Sequence, residues 1–67
     1  MEIRLNNEPV ILEGDSITLS ELLEVRKYTF RLRIVRVNGR LIDRDKYDNE
    51  IIRSGDEVQV VYLMSGG

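Results

Sequence analysis

The sequence predicts an α+β fold in which a mixed sheet of four to five strands carries one helix packed across one face. Three observations predict it. Apolar and polar residues alternate at the amino terminus and again near residue 35, the period of strands with one buried face. Between these regions lies a run with helical spacing and a helix-start signature. The last run, Glu57 to Met64, is apolar on both faces, as a strand in the middle of a sheet is.

Each element follows in order. Ile3 and Leu5 alternate with Glu2, Arg4 and Asn6; Asn6-Asn7-Glu8-Pro9 is turn chemistry, and Val10-Ile11-Leu12 makes the second strand of an opening hairpin. Gly14-Asp15-Ser16 ends that strand. Thr18 then caps a helix, with Glu21 reaching back to complete a capping box and Ile17 placed to staple onto Leu22. Leu19, Leu22 and Leu23 fall on one face, and the helix is expected to reach about Lys27. From Tyr28 to Arg33 the apolar parity shifts, since Phe30, Leu32 and Ile34 share one phase and Val35 and Val37 the other, so a loop or bulge is expected. Val35-Arg36-Val37 runs into Asn38-Gly39, a two-residue hairpin signal, and Arg40-Leu41-Ile42 returns. Asp43 to Asn49 is a charged excursion anchored by Tyr47. Ile51-Ile52 drops back to the core, and Ser54-Gly55-Asp56 turns into the final strand. A central last strand must insert beside the first, with the helix as the crossover.

At 67 residues and 7.8 kDa the chain makes one small domain with a thin core and no room for a cleft between two lobes. Residues 1–64 are assigned to that domain and residues 65–67 to a flexible carboxyl-terminal tail. The sequence contains neither cysteine nor histidine, which removes disulfides, Cys or His metal sites, a thiol nucleophile and an imidazole base. A cysteine-free domain of this size fits a reducing interior, so a cytoplasmic location is expected. The longest apolar stretch, Val60 to Met64, is far below the roughly 20 residues that cross a bilayer. The first residues also lack the pattern of a signal peptide.

Net charge is -2, unevenly spread. Residues 26 to 46 hold eight bases and two acids, between acidic ends. Such a band can mark an anionic partner, or Arg31, Arg33, Arg36, Arg40 and Arg44 can face water and pair with flanking acids. Against nucleic acid stands the scarcity of stacking aromatics, with only Tyr28 and Phe30 inside the band. The carboxylates of Asp43 to Glu50 lack the glycine and spacing of a calcium loop and are offset by Arg44 and Lys46. No phosphate-binding glycine motif occurs, Gly14, Gly39 and Gly55 standing singly.

The carboxyl terminus carries the chemistry. Glycine makes up about 7% of protein residues, so a Gly-Gly ending has a chance probability on the order of 0.5%. Gly66-Gly67 presents a carboxylate on a stalk without side chains, able to thread a narrow channel. That carboxylate, with an ordinary pKa of about 3.5, is ionised at neutral pH and a poor electrophile until activated. Adenylation by a partner would supply a leaving group, and a sulfur donor could then convert the acyl-adenylate to a thiocarboxylate.

The ending Leu63-Met64-Ser65-Gly66-Gly67, the Val35-Arg36-Val37-Asn38-Gly39 strand-turn, the Ser54-Gly55-Asp56-Glu57-Val58 turn and Thr18-Leu19-Ser20-Glu21-Leu22-Leu23 together resemble the ThiS family of sulfur carriers, over nearly the whole chain. The resemblance implies a β-grasp, ubiquitin-like fold and a carrier rather than an enzyme. It implies activation by an adenylating enzyme of the ThiF or MoeB type, a sulfur donor protein, and sulfur delivery to a thiazole synthase for thiamin. By the same resemblance Gly67 carries the adenylate and then the thiocarboxylate, Gly66 forms the slender neck, and Leu63, Met64 and Ser65 are the nearest surface for the activating enzyme. No cofactor is expected on the chain itself, ATP being used by the activating enzyme, and the free chain is expected to be a monomer. Other readings stay open: a protein modifier joined through Gly67 to lysines, a sulfur carrier for molybdopterin or tRNA thiolation, and an RNA-binding module.

Overall fold

Residues 1–27 and 33–62 are described by the computed structural model of the chain. In chain order the elements are β1 (Glu2–Leu5), β2 (Glu8–Ile11), β3 (Ser16–Thr18), α1 (Leu19–Val25), β4 (Arg33–Val37), β5 (Arg40–Ile42), a 3-10 turn at Arg44–Lys46, β6 (Ile51–Arg53) and β7 (Glu57–Tyr62). Five strands form one sheet in the order β2-β1-β7-β4-β5, and β3 and β6 form a separate antiparallel pair. The last strand therefore sits in the centre, parallel to β1 and antiparallel to β4, as its two apolar faces require.

The opening hairpin is tighter than the sequence reading expected. Its turn is only Asn6-Asn7, both at positive φ (52° and 68°), and β2 already begins at Glu8. Asparagine tolerates that backbone region better than other side chains, so two of them close the hairpin unaided. Pro9 is admitted because β2 is an edge strand, where its missing N–H interrupts no ladder.

Helix α1 is short, and its start is fully satisfied. The Thr18 hydroxyl accepts from the Glu21 backbone N–H at 3.1 Å, and the Glu21 carboxylate accepts from the Thr18 N–H at 3.3 Å, the expected capping box. The two remaining first-turn donors go to the charged excursion: Leu19 N–H to the Glu50 carbonyl at 2.8 Å and Ser20 N–H to the Tyr47 carbonyl at 3.1 Å. The excursion is thus a helix cap made of backbone, held by the buried Tyr47 and by a hydrogen bond from the Ser20 hydroxyl to Asp48. The helix ends at Val25, with Arg26 as C-cap and Lys27 at φ 60°, so it stops short of Lys27.

Two further expectations are corrected. Ser16–Thr18 is a strand rather than the tail of a turn, paired with β6 so that Ile17 faces Ile52. At the parity shift, β4 runs without a bulge from Arg33 to Val37, its register to β7 unbroken. The shift arises because β4 is apolar on both sides: Val35 and Val37 are buried under the helix, whereas Ile34 faces the other way. Residues 28–32, where the rest of the expected loop falls, lie outside the described residues. The core lies between the sheet and α1, where Leu19, Leu22 and Leu23 meet Ile3, Leu5, Val35, Val37 and Val58.

Candidate functional site: the exit of the central strand

The tail residues Leu63, Met64, Ser65, Gly66 and Gly67 lie outside the described residues, and so does the boundary between residues 64 and 65. The structure does describe the strand that leads to them. Val58 and Val60 anchor β7 in the core, while Val61 and Tyr62 are exposed. The two neighbours of β7 differ in length. Strand β4 accompanies it to the end, Ile34 opposite Val61 and Arg33 opposite Tyr62. Strand β1 pairs only as far as Leu5 opposite Val58.

Where β1 turns away, Asn6 takes over its role. The Asn6 N–H donates to the Val58 carbonyl at 2.9 Å, and the Asn6 side-chain oxygen accepts from the Val60 N–H at 2.8 Å, replacing the absent strand carbonyl. The other end of β7 is pinned by a second asparagine at positive φ. Asn38 donates its side-chain amide to Asp56 at 3.1 Å and accepts from the Glu57 N–H at 2.9 Å, while Asp56 also accepts from the Arg53 N–H at 2.9 Å. In the sequence both asparagines carry the signal of turn formers only. Their side-chain partners, 54 and 19 residues distant, left no local signal.

One consequence can be measured. Asn6→Ala removes the acceptor of a part-buried N–H and is expected to cost about 1–3 kcal/mol, with faster hydrogen exchange at the Val60 amide. Asn6→Asp keeps an acceptor oxygen and should retain most of the protection; equal loss in both variants would show that the side-chain bond is not what holds this strand.

Beside the exit, the Arg33 guanidinium lies 5.5 Å from the centroid of the Tyr47 ring, within cation–π range. Of the basic band, Arg40 donates to Glu50 at 3.2 Å as the water-facing reading expects, whereas Arg33 is half-buried and Arg31 lies outside the described residues. Among the described residues no acidic cluster is arranged to hold a metal ion, and no helix is long and apolar enough to cross a membrane.

From residue 3 to residue 67 the sequence matches the family model described as the ThiS family. The chain belongs to the ThiS family. A crystal structure of the thiamine biosynthesis protein ThiS from Geobacter metallireducens is 30% identical, covers 100% of both chains, and superposes with a TM-score of 0.90. An NMR solution structure of a thiamine biosynthesis protein from the same organism, also 30% identical, covers 100% of this chain and 88% of that one with a TM-score of 0.80. No curated protein matches. The mixed sheet with one helix is the β-grasp fold of ThiS, as the sequence resemblance implied.

Proposed function

We propose that the chain is a sulfur carrier of thiamin biosynthesis rather than an enzyme, and that its reacting group is the Gly67 carboxylate. Membership of the ThiS family, with the whole-chain likeness to thiamine biosynthesis proteins, is the observation that carries this reading. The chemistry of the tail agrees with it. A carboxylate oxygen attacks the α-phosphorus of ATP, the bond to pyrophosphate breaks, and an acyl-adenylate forms. Hydrosulfide then attacks the acyl carbon; the C–O bond to AMP breaks and a C–S bond forms. The resulting thiocarboxylate is a nucleophile held at the end of a chain that has no cysteine to compete for it.

The ATP belongs to an adenylating enzyme of the ThiF or MoeB type, and the chain's own part is to hold Gly66 and Gly67 out on the strand exit while Leu63, Met64 and Ser65 meet that enzyme. A thiazole synthase is the acceptor. The test is intact mass after incubation with the adenylating enzyme, ATP and hydrosulfide. We expect replacement of one oxygen by sulfur at Gly67. A mature chain extending past Gly67, or no mass change with cognate partners, overturns the reading. Stable conjugates on a denaturing gel would instead mark a protein modifier, since thiocarboxylate transfer leaves none.

A further inference from the structure

Asn38-Gly39 closes the hairpin of β4 and β5, and it is the one place in the chain where an asparagine precedes a glycine. That pairing has a chemistry of its own. The backbone nitrogen that follows an asparagine can attack the side-chain amide carbon, and a glycine there has no β-carbon to hinder the approach. Both residues are exposed to water, and nothing lies within 4 Å of where a β-carbon on Gly39 would stand. Among the described residues no hydrogen bond engages the Gly39 N–H. The nucleophile is thus free, whereas the electrophile is held. The Asn38 side chain reaches the start of β7 and is bound there through both of its polar atoms, Nδ2 donating to Asp56 Oδ1 at 3.1 Å and Oδ1 accepting from the Glu57 N–H at 2.9 Å. The Asn38 backbone N–H donates to the Glu57 carbonyl at 2.7 Å, and Asp56 is fixed in turn by the Arg53 N–H at 2.9 Å.

We propose that Asn38 is a site of spontaneous deamidation whose rate is set by its clamp on Asp56 and Glu57, so that modification follows local opening of the turn at residues 53–57. The proposal goes beyond the carrier reading and does not depend on it. The Gly39 nitrogen attacks Cγ of Asn38 and gives up its proton to solvent; Nδ2 takes a proton from water, the Cγ–Nδ2 bond breaks, ammonia leaves and a cyclic succinimide closes. Water then opens the ring at one of its two carbonyls. Opening at the backbone carbonyl diverts the main chain through the side chain as isoaspartate, and opening at the other leaves an ordinary aspartate. Water is the only co-reactant, and nothing is oxidised or reduced. Attack requires the nitrogen and Cγ to stand about 3–3.5 Å apart with the face of the amide turned to the nitrogen. Turning the Asn38 amide that way breaks both of its bonds to the start of β7, one of them to a charged carboxylate.

The product undoes the contact that protected the site. Aspartate at position 38 still accepts from the Glu57 N–H, but its second oxygen meets the Asp56 carboxylate where an amide had donated to it at 3.1 Å. Isoaspartate adds a methylene to the main chain inside a two-residue turn that needs positive φ at both positions, 51° and 83°. Either product loosens the start of the central strand. The other asparagines are placed differently: Asn6, Asn7 and Asn49 precede Asn7, Glu8 and Glu50, whose side chains crowd the attacking nitrogen.

The experiment follows conversion of Asn38 in the full chain at neutral pH by peptide mapping, in heavy-oxygen water so that hydrolysis is marked. The folded parent is expected to react at least roughly tenfold more slowly than the same chain unfolded in urea. Asp56→Ala, shown to be folded by circular dichroism, is expected to speed the reaction of the folded chain roughly tenfold. Asp56→Asn keeps an acceptor oxygen and should fall between the two. Asn6→Ala weakens the far end of β7 and is expected to leave the rate within about twofold, because the opening that matters is local. Asn38→Asp, which reproduces one product, should lower the unfolding midpoint and speed hydrogen exchange at the Arg53 and Glu57 amides. Equal rates in the folded and unfolded chains, or a rate for Asp56→Ala within about twofold of the parent, overturn the clamp. Acceleration by Asn6→Ala as large as by Asp56→Ala overturns it too, since global unfolding would then set the rate. Aspartate without isoaspartate overturns attack by Gly39, and an unaltered midpoint in Asn38→Asp overturns the loosening of β7.

Discussion

Leu22→Ala is expected to cost about 2–5 kcal/mol and lower the melting temperature by on the order of 20 °C, the largest stability effect of any single truncation considered. Leu22 is fully buried, at the middle of a helix of seven residues. A helix that short has no stability of its own in water, so it exists because its apolar face is covered by the sheet. Truncating Leu22 opens a cavity in the core cluster under α1, and few neighbours can move in to fill it in so thin a core. A domain of this length has only roughly 3–10 kcal/mol in total at about 0.05–0.15 kcal/mol per residue. The substitution thus removes a large part of it. Urea unfolding checks this: the midpoint should fall sharply with the slope unchanged. Leu41→Ala, on an exposed edge, should stay within about 0.5 kcal/mol of the parent. A loss below about 1 kcal/mol for Leu22→Ala would mean that the helix is not held by this face.

The elements that could be read from the sequence are those whose cause is local. The Thr18 and Glu21 box lies within four residues, and the structure forms both of its hydrogen bonds. Asn38-Gly39 turns where two adjacent positive φ values are needed. The central position of β7 follows from its composition alone, because only a strand covered on both sides is apolar in both phases for so long. The elements that were misread depend on partners far along the chain. Ser16–Thr18 carries three residues, two of them polar, and becomes a strand only because Ile17 finds Ile52. The parity shift at Ile34 resembles a bulge in one dimension; in the sheet it is a side chain facing Val61 on the open face. The same distinction governs the site. Gly66 and Gly67 announce themselves by composition, whereas the side-chain bonds of Asn6 and Asn38 that hold the two ends of β7 join residues 54 and 19 positions apart.

Removing Gly67 is expected to abolish adenylation while leaving the unfolding midpoint unchanged. The two halves of that result have separate physical causes. The buried core ends at Val60, and the described pairing of β7 ends with Tyr62 opposite Arg33, five residues before Gly67, so the loss of one terminal glycine removes no buried apolar area from the core. Stability should therefore stay within about 0.5 kcal/mol. Activation is different, because shortening the stalk by one residue withdraws the carboxylate by about 3.5 Å from where the adenylating enzyme holds the α-phosphate. Misplacement by 1 Å already costs a reaction of this kind roughly a hundredfold, so a rate at or below that fraction is expected even though Gly66 then offers a carboxylate of its own. Gly66→Val separates reach from width. It keeps the carboxylate of Gly67 at full length and adds a branched side chain to the neck, so a comparable loss would show that the channel admits only a bare backbone. Normal adenylation of the chain lacking Gly67 would show that the reacting carboxylate is not where the carrier reading puts it, and a fall in its unfolding midpoint would make the tail part of the fold.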